Sequence, residues 1–356
     1  MNLSAFLAPA ALLVSASVTA QEAPRLPCAE ADKACVAQAT RHHAVHKRAT
    51  WRADLARPLD VRTGPAPANL VEYLNLDNIL NGYPERPRSV RPDAAFMADV
   101  QGAIADLPPA VWRLFQDRLI GLYFVEHLGG TGFTDFVVDH HQRPVAGYIV
   151  LDAAVLAQQT ANGWASWKEN TPFKPAAGHR LDARIEADGD DNRRNAIQYI
   201  LLHELGHVLS IGGDIHPPWD LDPKEVPASA TYPYFDLSWT VARQEDRYQS
   251  RFDAEFPQRK DVAYYFGAKL EASDMVPTYA SVGRTNFPSL YAATHPGDDF
   301  AEAFASYVHV VRMKRPWRIT ITRDGEAPVL FDACWSEPRC AAKRAFLERL
   351  LGRPGG

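Results

Sequence analysis

The sequence predicts an α+β fold: a mixed, antiparallel-edged sheet, a long helix after it, and a later amphipathic helix. Three observations lead there. Short β-rich runs fill 120–151, helical spacing of apolar residues runs through 191–213, and a second amphipathic stretch at 291–307 sets two acids four residues apart.

Composition narrows the class first. With 356 residues, 46% of them apolar and 10% aromatic, the chain can bury a sizeable core. A net charge of −5 leaves no basic field for nucleic acid, and no internal apolar run reaches a membrane span. Residues 1–20 carry no charged side chain, are rich in Ala, Leu and Val, and end on Val18 and Ala20. They read as a signal peptide cleaved before Gln21, so a secreted or periplasmic monomer, free of the membrane after cleavage, is expected. The 4 cysteines fit that address. Cys28 with Cys35 and Cys334 with Cys340 is the simplest pairing, although three connectivities are allowed.

The N-terminal region, 21–93, reads as a helical and Pro-rich lead-in, with a pro-segment as one use for it. Its first part suggests one or two surface helices, with His42 and His46 on a solvated basic face beside Arg41, Lys47 and Arg48. Five prolines break 64–93, which is expected to be extended. The main domain then covers 94–356. Asp93–Leu107 and Pro109–Leu119 are expected as helices, the second opened by Pro109. Ile120–Val125, Phe133–Val138 and Val145–Leu151 are expected to form an antiparallel sheet, with Val145–Leu151 as the edge to which an extended peptide adds. His127, His140 and His141 fall at strand ends or turns and read as surface residues.

The strongest motif follows, in Asp191–Gly213. Asp190 and Asp191 suit a helix start and Gly212-Gly213 a stop, while Ile197, Ile200, Leu201, Leu205 and Val208 recur at helical spacing. Inside it stands His203-Glu204-Leu205-Gly206-His207. Residues four apart share a helix face, so His203 and His207 can offer two imidazole nitrogens to one Zn²⁺. Glu204 beside them can take a proton from water and pass it to a leaving amine. His216, nine residues after His207, could reach the metal region, but it does not fit the longer HExxHxxGxxH pattern, since Ser210 and Gly213 stand where Gly and His would be, and a structural role is the expectation. The Pro-rich passage beyond Gly213 has the length of a lid or binding wall.

The second constellation runs from Tyr291 to Tyr307, with Pro296 near a helix start. Asp298 and Glu302 share a face, whereas Asp299 points about a quarter-turn away. That allows a division of labour in which Asp298 binds the metal and Glu302 holds the outer nitrogen of a ligand histidine.

HELGH followed by a Tyr and then an acid-x-x-Ala-Glu-Ala-Phe helix resembles the gluzincin zinc metallopeptidases. Within them it resembles the group of exported bacterial enzymes that includes the anthrax lethal factor catalytic domain. The resemblance implies a zincin-like fold and zinc held by His203, His207 and Asp298. It also implies Glu204 as catalytic base, Glu302 supporting a histidine, and Tyr291 stabilising the oxyanion during hydrolysis of a peptide or protein substrate. Asp298 stands where the group usually has Glu, one methylene longer, so Asp299 and Glu302 remain alternative ligands. A zinc amidase acting on cell-wall peptides, or a catalytically silent peptide-binding member of the fold, would use the same residues. The C-terminal part reads as scaffold: a hairpin with Asp324-Gly325 in its turn, and a final helix over about Pro338–Leu351.

Overall fold

The computed structural model of the chain describes residues 26–352 apart from single positions 116 and 220. The expected leader, 1–20, and its cleavage before Gln21 lie outside the described residues.

The main sheet contains β1 (Thr63–Pro65), β2 (Arg88–Ser89), β3 (Leu119–Glu126), β4 (Gly132–Val138) and β5 (Pro144–Asp152). Its order is β1–β3–β5–β4, with β2 also paired to β3. β1 and β5 run parallel to β3, and β4 runs antiparallel to β5, so the sheet is mixed with an antiparallel edge. The fold is α+β.

This order corrects two expectations. The sheet is not wholly antiparallel, and Val145–Leu151 lies in a central strand; β4 is the antiparallel edge, with β1 at the other end. The physical reason is in the residues: a strand covered on both faces reads as an uninterrupted apolar run, which Val145–Leu151 is. β4 instead carries Gly132, Thr134 and Asp135. Ile149 and Leu151 of β5 enter the core around the motif helix, while Tyr148 and Val150 enter a second core on the other face, with Leu70, Val71 and Leu74.

Those two leucines and the valine come from a helix that the prolines of 64–93 concealed. Ala68–Asn81 is helical for 14 residues, between Pro67 at its N-cap and Gly82 at φ 81°. The prolines bound the helix and do not interrupt it, because a ring just before the first turn removes an N–H that has no helical partner. His46 is likewise not on a solvated face. Its ring stacks on Phe136 at 5.2 Å and meets Tyr73 edge-on at 4.9 Å, with Nδ1 3.3 Å from Phe136 O. His127, His140 and His141 are exposed, as expected.

Asp93 caps a helix over Ala94–Ala105, accepting from Phe96 N at 2.7 Å, but the next helix covers only Pro109–Arg113. A strand that the sequence reading missed, β6 (His179–Arg184), follows, and then a short hairpin of β7 (Trp239–Ala242) and β8 (Arg247–Ser250). β9 (Arg318–Arg323) and β10 (Val329–Asp332) form the expected C-terminal hairpin, and β6 pairs antiparallel with β9. The last helix is Ala341–Gly352. Disulfides join Cys28 to Cys35 and Cys334 to Cys340, the two local pairs. Among the described residues no helix is long and apolar enough to cross a membrane.

Candidate metal centre

The motif lies on the helix Arg193–Ser210, whose N-cap is Asn192, accepting from Asn195 N at 3.0 Å. Asp191, the expected cap, instead accepts from Asn162 N at 2.8 Å. Nearly every residue of this helix is buried, including Ile197, Leu201, Leu205 and Val208, so its rotation is fixed by packing on all sides. That rotation turns His203 and His207 to one side, where their Nε2 atoms lie 3.1 Å apart.

The second helix, Pro296–Tyr307, begins at His295, whose Nδ1 accepts from Gly297 N at 3.2 Å. Its first turn carries Asp298. Asp298 Oδ1 is 3.5 Å from His207 Nε2 and 4.0 Å from His203 Nε2, and Thr294 Oγ1 donates to Oδ2 at 3.3 Å. In a tetrahedral zinc site with bonds of about 2.0–2.1 Å, ligand atoms stand roughly 3.3–3.4 Å apart. The three observed separations bracket that value. His203, His207 and Asp298 are the one such group of potential ligands found among the described residues. Two imidazoles and one carboxylate suit zinc chemistry.

Electrostatics keep Asp298 ionised. Burial opposes the charge, but the His207 hydrogen bond and the neighbouring imidazoles outweigh it and hold the carboxyl below its usual range. Burial likewise opposes a charge on His207, and the hydrogen bond and charge of Asp298 raise its pKa against that opposition.

Behind His203 stands a buried ionic chain. Glu302 Oε1 is 3.0 Å from His203 Nδ1 and accepts from Lys168 Nζ at 2.9 Å, while Ser289 Oγ donates to Oε2 at 2.6 Å. Lys168 is also 3.6 Å from Glu169, which receives the hydroxyls of Tyr264 and Tyr279 at 2.8 and 2.6 Å. Burial works against ionisation of Glu302; Lys168 and His203 overcome it and push the carboxyl well below its ordinary value. Glu302 thus lies beside the outer nitrogen of His203, on the side away from Asp298. Lys168 was missed, because a lone lysine in a Trp-Lys-Glu-Asn stretch carries no sequence mark of burial. Glu302→Gln is expected to weaken zinc retention by about 10–100-fold, since the partner of a ligand histidine sets its orientation and basicity. Competition against a zinc chelator measures this.

Glu204 is set by the edge strand. Its Oε2 accepts from Thr134 Oγ1 at 2.7 Å, and a Cβ at Gly132 would collide with its carboxylate. With His203, Tyr291 and Gly132 it lines a cavity of about 130 Å³. Tyr291 stacks on His203 at 5.6 Å between ring centroids, with Lys168 Nζ 4.5 Å from its own centroid. Burial first, and then Asp298, raise the Tyr291 pKa well above its ordinary value, so the hydroxyl keeps its proton. Phe266, 63% exposed, meets Tyr83 at 4.7 Å beside this cavity.

Helix proximity depends on Gly206. A Cβ there would lie 2.7 Å from Ala301 Cα, so the two helices cross almost backbone to backbone. This close crossing brings the short Asp298 side chain near the histidines. Gly206→Ala gains about 1 kcal/mol of helix propensity. The opposing cost of overpacking is about 1–3 kcal/mol, and here the neighbour is backbone, which cannot swing aside. The variant is expected to melt below the parent and to bind zinc more weakly, read by thermal melts and zinc titration.

Two candidates fall outside the cluster. Asp299 is fully buried and accepts from Lys343 Nζ at 2.5 Å and Trp239 Nε1 at 3.0 Å, facing away from the histidines. His216 is buried, with Nδ1 2.7 Å from Pro217 O and Nε2 accepting from Trp219 Nε1 at 3.2 Å. Both its nitrogens are engaged, so neither has a lone pair to offer, and burial pushes its pKa down to about 4.

No family model, curated protein or solved structure matches the chain.

Proposed function

We propose that this chain is an exported, zinc-dependent metallopeptidase of the gluzincin kind, with a zincin-like domain and the HELGH helix as its active-site helix. The observation that carries the reading is the meeting of His203 Nε2, His207 Nε2 and Asp298 Oδ1 within 3.1–4.0 Å of one another, with Glu204 on the same helix. Export is supported by the two disulfides and the apolar character of residues 1–20.

His203, His207 and Asp298 would hold the ion, and Glu302, 3.0 Å from His203 Nδ1, would orient that imidazole. A bound zinc ion supplies Lewis acidity toward a carbonyl oxygen and makes water more acidic. Glu204, oriented by Thr134, accepts a proton from the attacking water and delivers it to the leaving amine. Tyr291, kept protonated, donates a hydrogen bond to the developing oxyanion. Peptide recognition falls to β4. Among the described residues its outer edge carries one bridge, Lys47 to Val138, which leaves Gly132–Asp135 open to an added strand.

The test is zinc content per chain with hydrolysis of an unfolded protein. About one zinc, and hydrolysis that a chelator abolishes and added zinc restores, is the expected result. A protein that takes up no zinc on reconstitution would overturn the proposal.

A further inference from the structure

His207 faces Asp298 through Nε2 and also borders a pocket of about 560 Å³. Gly297, next to Asp298, borders it too, and a Cβ there would stand 3.9 Å from His207 Cε1. Pro217, Pro218, Trp219 and Leu221, from the passage beyond Gly213, complete the walls with Tyr248 and Pro296. The volume lies in the range of small-molecule sites, roughly 300–1,000 Å³, so size does not restrict the pocket to small side chains.

The walls are held by the chain itself. Trp219 Nε1 donates to His216 Nε2 at 3.2 Å, and the indole meets His207 edge-on at 5.4 Å. Tyr248 packs against Phe235 at 5.5 Å and His295 at 5.7 Å, and the prolines fix their own φ. Trp219, Leu221 and Tyr248 are nevertheless half-buried, so each keeps surface for an occupant to cover. Arg247 also lines the pocket, but its guanidinium is engaged by Glu245.

The neighbouring spaces give the pocket a direction. Trp219 and Leu221 also border the groove along Phe133–Phe136 of β4, whereas Gly132 and Glu204 border the small cavity with Tyr83 and Tyr291. The pocket therefore lies toward the Phe136 end of the edge strand, and the small cavity toward its Gly132 end. A peptide added antiparallel to β4, the slightly more stable pairing, runs from the Phe136 end to the Gly132 end. Its residues before the cleaved bond pass the pocket.

We propose that this pocket receives a large aromatic side chain of the substrate, carried on the N-terminal side of the cleaved bond. The proposal rests on the peptidase reading and adds a substrate class to it.

The probes are acetylated hexapeptide amides of alanine with the third residue varied as Phe, Leu, Ala or Asp. They are given to the zinc-loaded full chain, with products located by mass spectrometry. The Phe peptide is expected to exceed the Ala peptide about ten- to a hundredfold in kcat/KM, the scale of burying one such side chain. It should exceed the Leu peptide about two- to tenfold, the scale of an added aromatic contact. The Asp peptide should be no faster than the Ala peptide, because its carboxylate would lose water against apolar walls. Phe should appear in the N-terminal product. Leu221→Trp, which fills the pocket, should collapse the Phe-to-Ala ratio while zinc content stays at the parental level. Tyr248→Ala, which removes an aromatic wall, should erase the margin of Phe over Leu and serves if Leu221→Trp does not fold. Equal rates for the Phe and Ala peptides, or Phe in the C-terminal product, would overturn the proposal and leave the peptidase reading standing. If no peptide is cleaved, the peptidase reading fails and calorimetry on the metal-free chain decides the pocket. Binding of the Phe peptide at least about tenfold tighter than the Ala peptide, lost in Leu221→Trp, would support it; equal or absent binding would overturn it.

Discussion

Glu204→Gln is expected to lower hydrolysis by about 10²–10⁴, the usual worth of a positioned acid–base group, while zinc content stays at the parental level. The substitution is nearly isosteric, so the amide can still meet Thr134 Oγ1 and fit against Gly132, and the metal-facing atoms of His203, His207 and Asp298 are not altered. What it removes is the ability to take up and return a proton. Initial rates on an unfolded protein substrate, with elemental analysis of the same sample, give both readouts. Undiminished hydrolysis would exclude Glu204 from the mechanism; lost zinc would make its role structural.

The second large effect separates two adjacent acids. Asp298→Ala removes one of three donors and is expected to abolish stable zinc binding with little change in the melting of the metal-free protein. Asp298 is partly exposed and its second oxygen meets only Thr294. Asp299→Ala should do the reverse. Lys343 is fully buried against Asp299, and Trp239 Nε1 and the Tyr234 hydroxyl also donate to that carboxylate. Removing one member of a buried pair strands the other charge, at about 3–5 kcal/mol. For a chain this size that is a fall in Tm on the order of 10 °C. Chelator competition and thermal melts of the metal-free proteins, run on both variants, read the two effects. If Asp299→Ala lost zinc while Asp298→Ala retained it, the ligand assignment would be reversed.

The neighbouring acids also show how far the sequence could be read. Helical spacing put Asp298 and Glu302 on one face and turned Asp299 aside, and the structure has that arrangement. Spacing said nothing of Lys343 or Lys168, each more than forty residues from the acid of the second helix that it meets, so the roles of these lysines emerge only on folding. The same limit explains the edge strand. The three runs were legible, but their order depends on β5 inserting between β3 and β4, a long-range pairing that local alternation does not encode. The unbroken apolar run at 145–151 was the available signal for a central strand, and it was read as an edge.

His216 and His46 show the converse. Both are histidines near the interior; charged neighbours misplaced His46, whereas His216 lies outside the ligand cluster, as its misfit to the longer motif led one to expect. A ring nitrogen's freedom to bind a metal depends on what it already touches, and those partners come from the fold. Trp219 and the Pro217 carbonyl engage His216, whereas His203 and His207 keep their Nε2 atoms turned toward Asp298.

By itself the sequence determined the α+β class, the helical placement of His203, Glu204 and His207, and the shared helix face of Asp298 and Glu302, because these follow from local spacing; the two local disulfides were the simplest of three pairings, and the structure has them. Only the tertiary structure decided which strand is the edge, how Gly206 and Ala301 let two helices cross closely enough for a short carboxylate to reach the histidines, and which buried lysine holds which acid. Those depend on contacts between distant segments, whose energies no local pattern in the chain contains.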